Sequence, residues 1–250
     1  MKIGIVGIGA IGGIIARRLK REGHDISVAN SRGPRGAELF AGAHGVRGTD
    51  VGGAIEEADA VVVSIPFPAV QNLPKQIFAR LPAHVPVIDT GNYYPALRDP
   101  QIPEIDAGKV ESMWASEQLD RSIIKIFNTI IAPSLEEGAR PKGAADRIAL
   151  SVFGDDPRQK KVALGLVEQM GFDPLDCGRL EESWRVQPGS PCYCCDYGLD
   201  ELRKAVASAV RGKAAERRDY WIAHLHELHG SSPDRNHIVQ LQRRLNAVES

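Results

Sequence analysis

The chain of 250 residues has no surplus of either charge: 31 lysines and arginines stand against 32 aspartates and glutamates. Nothing in that balance invites nucleic acid or an anionic membrane surface as a partner. It also lacks any apolar run near the roughly 18 residues that a membrane span needs. The apolar start MKIGIVGIGAIGG mimics a signal peptide, but its glycines fall at motif spacing and Arg17, Arg18, Lys20 and Arg21 follow at once. That is the pattern of a core strand and turn leading into a helix, and a soluble, cytoplasmic protein is expected. Cysteine is sparse: there are four, three of them packed into Cys192-Tyr193-Cys194-Cys195. This is not the spaced framework of a secreted disulfide scaffold, so reduced thiols are expected. Internal repeats and low-complexity tracts are missing too. What remains is a chain 43% hydrophobic and 25% charged, long enough to bury a large core.

Short β-rich runs alternate with helical patterns. KIGIVG precedes a helix in which Ile11, Ile14, Ile15 and Leu19 recur at helical spacing and Gly23 supplies the stop. DISVAN reads as a second strand, followed by a short helix near Arg35 to Ala41, a weak strand around Val46 and a helix from Val51 to Ala58. The β-branched strand from Ala60 to Ile65 ends at Pro66; a helix from Ala69 to Leu81 leads to a strand from Val85 to Asp89. A long insert with a helix at Glu111 to Leu119 precedes the strand Ile123 to Phe127. The fold class implied is α/β, a doubly wound Rossmann-type parallel sheet with a helical C-terminal extension. Arg147 to Phe153, Pro157 to Met170 and Pro174 to Cys177 read as one more strand, helix and strand added to the same sheet. Residues 1–180 are expected to form the dinucleotide-binding domain. Residues 181–250, with helices near Leu199 to Arg211, Ala214 to His229 and His237 to Val248, are expected to form a cap or dimerisation element.

Gly7-Ile8-Gly9-Ala10-Ile11-Gly12 fits G-x-G-x-x-G between a strand and a helix. Gly7 can make the tight turn, Gly9 admits a pyrophosphate and Gly12 lets helix pack on strand, while the helix amides at Ala10 and Ile11 face the anion. A second absence then selects the coenzyme. Where a carboxylate would receive the ribose hydroxyls of NAD, the chain has Asn30, followed by Ser31, Arg32 and Arg35. Asn30 removes the repulsion of a 2′-phosphate, Ser31 can donate to it, and Arg32 can pair with it or cover the adenine. NADP is therefore the expected coenzyme, with Arg35 either a second cation or part of a solvated basic turn.

Ligands of such sheets sit beyond the carboxyl ends of the strands. Pro66-Phe67-Pro68, after Ile65, offer an apolar wall for a nicotinamide ring; Asp89-Thr90-Gly91-Asn92 and the pair Asn128-Thr129 offer amide and hydroxyl groups, or serve their own turns. Lys125 is a general acid or anion ligand, or, as preferred here, snorkels to the sheet edge. No unambiguous proton donor stands out, which tilts the reading toward hydride transfer to a flavin-like ring and leaves the catalytic residues unassigned. The Cys-x-x-Cys spacing at Cys192 and Cys195 lacks a second spaced pair, and His224, His226 and His229 do not supply one. Packed thiols, an exposed histidine face and no metal are expected.

KIGIVGIGAIGG, VANSRGP, AVVVSIPFPAV, VIDTGNYY, IKIFNTI and WRVQPGSP together resemble the dinucleotide-binding enzymes related to deazaflavin-dependent (coenzyme F420) NADP reductase. The cofactor domain is similar as well to that of pyrroline-5-carboxylate reductase. The resemblance spans residues 1 to about 191. It implies NADP held by Gly7, Gly9, Ile11, Ser31 and Arg32, nicotinamide near Pro66 and Asn92, and hydride passed to a deazaflavin, flavin or similar small-molecule redox acceptor. The helices after Gly198 go beyond the family pattern, so the acceptor does not transfer with the fold. The expectation is an NADP-dependent oxidoreductase, homodimeric through its C-terminal helices. Alternatives are an NADPH-dependent imine or carbonyl reductase and a non-catalytic NADP-binding redox sensor.

Overall fold

β-branched and small apolar residues set the strands, and amphipathic stretches with a glycine or proline at their ends set the helices. In the computed structural model, which describes residues 1–95, 97–224, 227 and 234–247, the first part of the chain alternates between the two. It runs β1 (Lys2–Val6), α1 (Ala10–Arg21), β2 (Asp25–Ala29), α2 (Gly33–His44), β3 (Arg47–Gly48), α3 (Val51–Ile55) and β4 (Ala60–Val63). Then come α4 (Lys75–Ala79), β5 (Val87–Asp89), α5 (Pro103–Asp106), α6 (Glu111–Leu119), β6 (Ile124–Lys125) and α7 (Ala132–Glu137).

The six strands form one parallel sheet in the order β3-β2-β1-β4-β5-β6. The order reverses between β1 and β4, the switch point at which ligands of doubly wound sheets bind. Alternation along the strands divides two cores. Ile3, Ile5 and Val62 pack with Ile14, Ile15 and Leu19 of α1 on one face. Val6, Val61 and Val63 pack with Phe67, Phe78 and Trp114 on the other. Burying each such Val, Ile or Leu contributes about 1.5–3 kcal/mol, so the sheet is the rigid platform on which the loops stand.

Three sequence expectations change. The helix expected from Ala69 to Leu81 is a 3₁₀ turn at Phe67–Asn72 followed by the short α4. Pro74 has no N–H to donate and disfavours helix at Leu73, which is extended. The strand expected through Phe127 stops at Lys125, and Phe127 takes a left-handed φ of 63° that ends extended pairing. The last strand–helix–strand unit does not join the main sheet. β7 (Ala149–Val152), α8 (Pro157–Gln169) and β8 (Asp173–Asp176) make a separate parallel pair with its helix. Among the described residues one antiparallel bridge, Lys125 to Phe153, links it to the main sheet, and Ile148, Leu150 and Val152 pack in one core with Ile124. The shortness of β6 leaves no longer ladder to form.

The C-terminal part adds a 3₁₀ turn at Leu180–Val186, α9 (Leu199–Ala207), α10 (Lys213–Ala223) and a last helix, Arg235–Leu245. It is tied directly to the main sheet: the Asn128 side-chain amide donates to the Val186 carbonyl at 2.7 Å, and the Cys194 N–H donates to the Thr129 carbonyl at 3.0 Å. His226, His229 and Val248, assigned to helices from the sequence, lie outside the described residues. Among the described residues no helix is long and apolar enough to cross a membrane.

Candidate functional site

β1 delivers the chain into Gly7, which has a φ of 102°; a Cβ there would lie 2.1 Å from the Ser64 carbonyl oxygen. Only glycine fits. At Gly12 a Cβ would lie 2.0 Å from the Gly7 carbonyl oxygen, so α1 can sit down on the turn only because that side chain is missing. Gly9 caps α1 without a side-chain hydrogen bond, and a Cβ added there meets nothing within 4 Å. The first turn of α1 carries no acidic residue. Its unpaired amides therefore open onto free space with the positive end of the helix dipole behind them.

At the end of β2 the Asn30 carboxamide oxygen accepts from the Arg32 backbone N–H at 3.0 Å, shaping the turn, while Asn30 Nδ2 is buried without a partner. Ser31 and Arg32 are exposed at the start of α2, which has no side-chain cap. Among the described residues Arg32 enters no salt bridge. Gly7, Gly9, Asn30, Ser31, Arg32, Ile65 and Pro66 border one cavity of about 620 Å³. Arg35 is exposed but does not border it.

A second cavity, of about 390 Å³, shares Gly9, Ser64, Ile65 and Pro66 with the first. It runs from Ala10 and Ile11 to Asn92 and Asn128 over the carboxyl ends of β4, β5 and β6. Asn92 Nδ2 donates to the Asn128 carbonyl at 2.8 Å and to the Tyr193 hydroxyl at 3.2 Å. Tyr193 and Tyr94 hydrogen-bond through their hydroxyls, and the Arg98 guanidinium lies 4.7 Å from the Tyr94 ring centre. Thr90, of the expected Asp89–Asn92 strand end, borders this cavity too, as do Tyr94, Arg98, Tyr193 and Cys194, which the sequence does not mark as cofactor- or substrate-binding residues. Burial pushes the Tyr193 and Tyr94 hydroxyls and the Cys194 thiol above their ordinary pKa values, so all three hold their protons at neutral pH.

Other expected residues sit behind the site. Phe67 is fully buried, its ring 5.1 Å from Trp114 and 6.0 Å from Tyr93, so it braces Pro66 from the core and is no wall of the cleft. Thr129 is buried and borders neither cavity. Lys125 does not snorkel: it is 1% exposed, 2.6 Å from Asp89 Oδ2, and donates also to the Gly91 carbonyl. The register of β5 and β6 sets Asp89 beside it. Its role is to hold the strand end that leads to Asn92. The four cysteines are free, and the described residues contain no group of three or more His, Cys, Asp or Glu placed to hold a metal.

A glycine turn, an uncapped helix start and a switch-point cleft in this strand order define a dinucleotide-binding protein of the Rossmann class. The family model for coenzyme F420-dependent NADP oxidoreductase matches residues 2–93. The Escherichia coli K12 protein YjhV is 36% identical over 106 residues, which cover 42% of this chain and 77% of that protein. The chain belongs to this oxidoreductase family, whose members use a nicotinamide dinucleotide. Among solved structures, a hypothetical protein from Sinorhizobium meliloti matches with a TM-score of 0.61 at 25% identity, over 75% of this chain and 89% of its own. A candidate F420-dependent NADP-reductase from Arthrobacter sp. FB24 matches with a TM-score of 0.58 at 19% identity, over 72% and 85%. The 1-pyrroline-5-carboxylate reductase of Streptococcus pyogenes shares the fold with a TM-score of 0.51 at 16% identity, over 96% and 84%.

Proposed function

We propose that the chain is an NADPH-dependent oxidoreductase that exchanges hydride with a planar acceptor of deazaflavin or flavin type in the 390 Å³ cavity. The observation that carries the coenzyme choice is the shared border: the cavity at the α1 amides and the cavity at the exposed Ser31–Arg32 pair meet at Gly9, Ser64, Ile65 and Pro66. The amides of Ala10 and Ile11 receive the pyrophosphate; Ser31 and Arg32 receive the 2′-phosphate, where a carboxylate would repel it. Ile65 and Pro66 exclude water beside the nicotinamide, and Asn92 orients its carboxamide or the acceptor. When bound, the dinucleotide supplies the hydride. The chain's own part is to align the two rings and keep the cleft dry.

The family's name and that of the Arthrobacter relative support this acceptor class. On this reading residues 1–180 bind the dinucleotide and residues 181–250 cover the acceptor. A cytoplasmic location suits the four free cysteines. A homodimer through the C-terminal helices suits the exposed Val210 and Tyr220, 59% and 54% accessible.

One observation favours a second reading, an imine or carbonyl reductase: the protonated Tyr193 hydroxyl, which accepts from Asn92 Nδ2, borders the cavity, where the sequence offers as acid only Lys125 or an unassigned C-terminal residue. A screen of NADPH oxidation against 8-hydroxy-5-deazaflavin, riboflavin phosphate, a quinone, a 2-oxo acid and a cyclic imine separates the two. Turnover of the deazaflavin or flavin alone supports the first reading. Turnover of the oxo acid or imine that Tyr193→Phe abolishes supports the second, and tight NADPH binding without any turnover points to a sensor.

A further inference from the structure

The Cys192–Asp196 segment brings Tyr193 and Cys194 to the acceptor cavity in a conformation the backbone resists. Cys194 and Asp196 have φ values of 56° and 49°, a region that side chains other than glycine seldom occupy and that lasts only where surrounding contacts impose it. On the cavity side the segment is held by the Cys194 N–H on Thr129 and the Tyr193 hydroxyl on Asn92 and Tyr94. Within the segment the Cys195 thiol donates to the Tyr193 carbonyl at 3.3 Å, and from the other side the last helix holds its carbonyls.

Arg243 Nε donates to the Cys195 carbonyl at 2.7 Å and Arg243 Nη2 to the Asp196 carbonyl at 3.1 Å. Asn246 Nδ2 donates to the Tyr193 carbonyl at 3.1 Å. Arg235 Nη2 meets Asp196 Oδ2 at 2.8 Å, and the same carboxylate oxygen accepts from the Ser134 hydroxyl at 2.5 Å. Behind the two tyrosines Trp221 of α10 packs on Tyr94 with ring centres 6.0 Å apart, and Ile222 joins Tyr94, Tyr193 and Cys194 in one apolar cluster. Asn246 is 2% exposed and Gln242 5%, so the helix presents polar groups inward, onto a strained loop.

We infer that the last helix backs the loop that walls the acceptor cavity, and that Arg243 and Asn246, which do not border the cavity themselves, are positioning residues that fix the Tyr193 hydroxyl and the Cys194 thiol at the place of hydride acceptance. The inference rests on the reading of the 390 Å³ cavity as the acceptor site. It accounts for the carboxyl-terminal helices of this chain as specificity elements: a change in the last helix changes which acceptor fits, with the Asn30–Arg32 end of the dinucleotide cleft left alone. It also gives the buried Cys192-Tyr193-Cys194-Cys195 stretch a purpose other than metal binding, as small, apolar side chains around one placed hydroxyl.

The test is site-resolved labelling of the full-length protein with N-ethylmaleimide, read by mass spectrometry, alongside fluorescence titration with NADPH. Cys194 is expected to label slowly in the parent. Arg243→Ala and Asn246→Ala should each speed labelling of Cys194 by about tenfold or more, the local opening expected on losing hydrogen bonds from a charged or buried donor. The NADPH dissociation constant should stay within about twofold, and Arg243→Lys, which keeps a cationic donor, should restore much of the protection. Unchanged labelling overturns the inference. So does labelling that rises only in step with lost NADPH binding, which marks general unfolding. The acceptor screen run on Arg243→Ala then reads the cavity itself. An altered acceptor profile supports the inference, whereas faster labelling with the parent profile at parent rates overturns the cavity's assignment and leaves the clamp standing.

Discussion

Lys125 Nζ lies 2.6 Å from Asp89 Oδ2, with both side chains 2% exposed or less, directly beneath the strand end that carries Gly91 and Asn92 to the cleft. The pair compensates itself in a place where neither charge could stay alone. Lys125→Met should therefore lower stability to urea by about 3–5 kcal/mol, because it strands the Asp89 charge. Lys125→Met combined with Asp89→Asn should recover much of that, since the asparagine oxygen can still accept from the Gly91 N–H, which now lies 3.0 Å from Asp89 Oδ1. A single-variant loss below about 1 kcal/mol, the scale of an exposed pair, contradicts the assignment.

Glu111, at the start of α6, is fully buried and accepts from the Tyr93 N–H and the Gln187 side chain. Burial raises its pKa from 4.5 to about 7, against the attraction of Lys125 and Arg218. The folded protein thus holds a proton that the unfolded chain releases, and stability falls as pH rises through the window from 4.5 to about 7. At about 1.4 kcal/mol per unit the drop is on the order of 3 kcal/mol. Denaturation between pH 4.5 and 8 should show this slope in the parent and a flatter profile in Glu111→Gln. Identical profiles contradict it.

The glycines of the phosphate turn separate fold from binding. Gly9→Ala places a methyl where nothing lies within 4 Å, so melting temperature should hold while NADPH affinity falls by about tenfold or more through lost space for the pyrophosphate. Gly7→Ala should instead destabilise the protein by about 2 kcal/mol or more, since the methyl strikes the Ser64 carbonyl and the φ is forbidden to it. Thermal melts with parallel titrations check both; equal stability of the two variants would count against the geometry.

What the sequence made legible is what is local. Gly7, Gly9 and Gly12, the Asn30–Ser31–Arg32 turn and the run Ala60–Val63 carry their meaning within a few residues, and the structure assembles them at the switch point. Tyr193 is not legible in the sequence because its partner Asn92 is 101 residues away, and because the three neighbouring thiols also have the spacing of metal ligands. The role of Lys125 is hidden for the same reason. Only the register of β5 on β6 supplies its carboxylate. Phe67 looked like a wall of the cleft because it follows Pro66, but the 3₁₀ turn that begins there rolls its ring into the core. β7 and β8 had every local mark of further strands in the sheet; the two-residue β6 decided otherwise.

Coenzyme choice is measured directly by the dissociation constants of NADPH and NADH for the parent and Arg32→Ala. A charge-assisted contact to the 2′-phosphate is worth about 2 kcal/mol, so NADPH should bind the parent more tightly than NADH and lose roughly 30-fold in the variant. NADH affinity should stay within about twofold, because it has no group for Arg32 to hold. Equal loss of both coenzymes, or a parent that prefers NADH, would contradict the account.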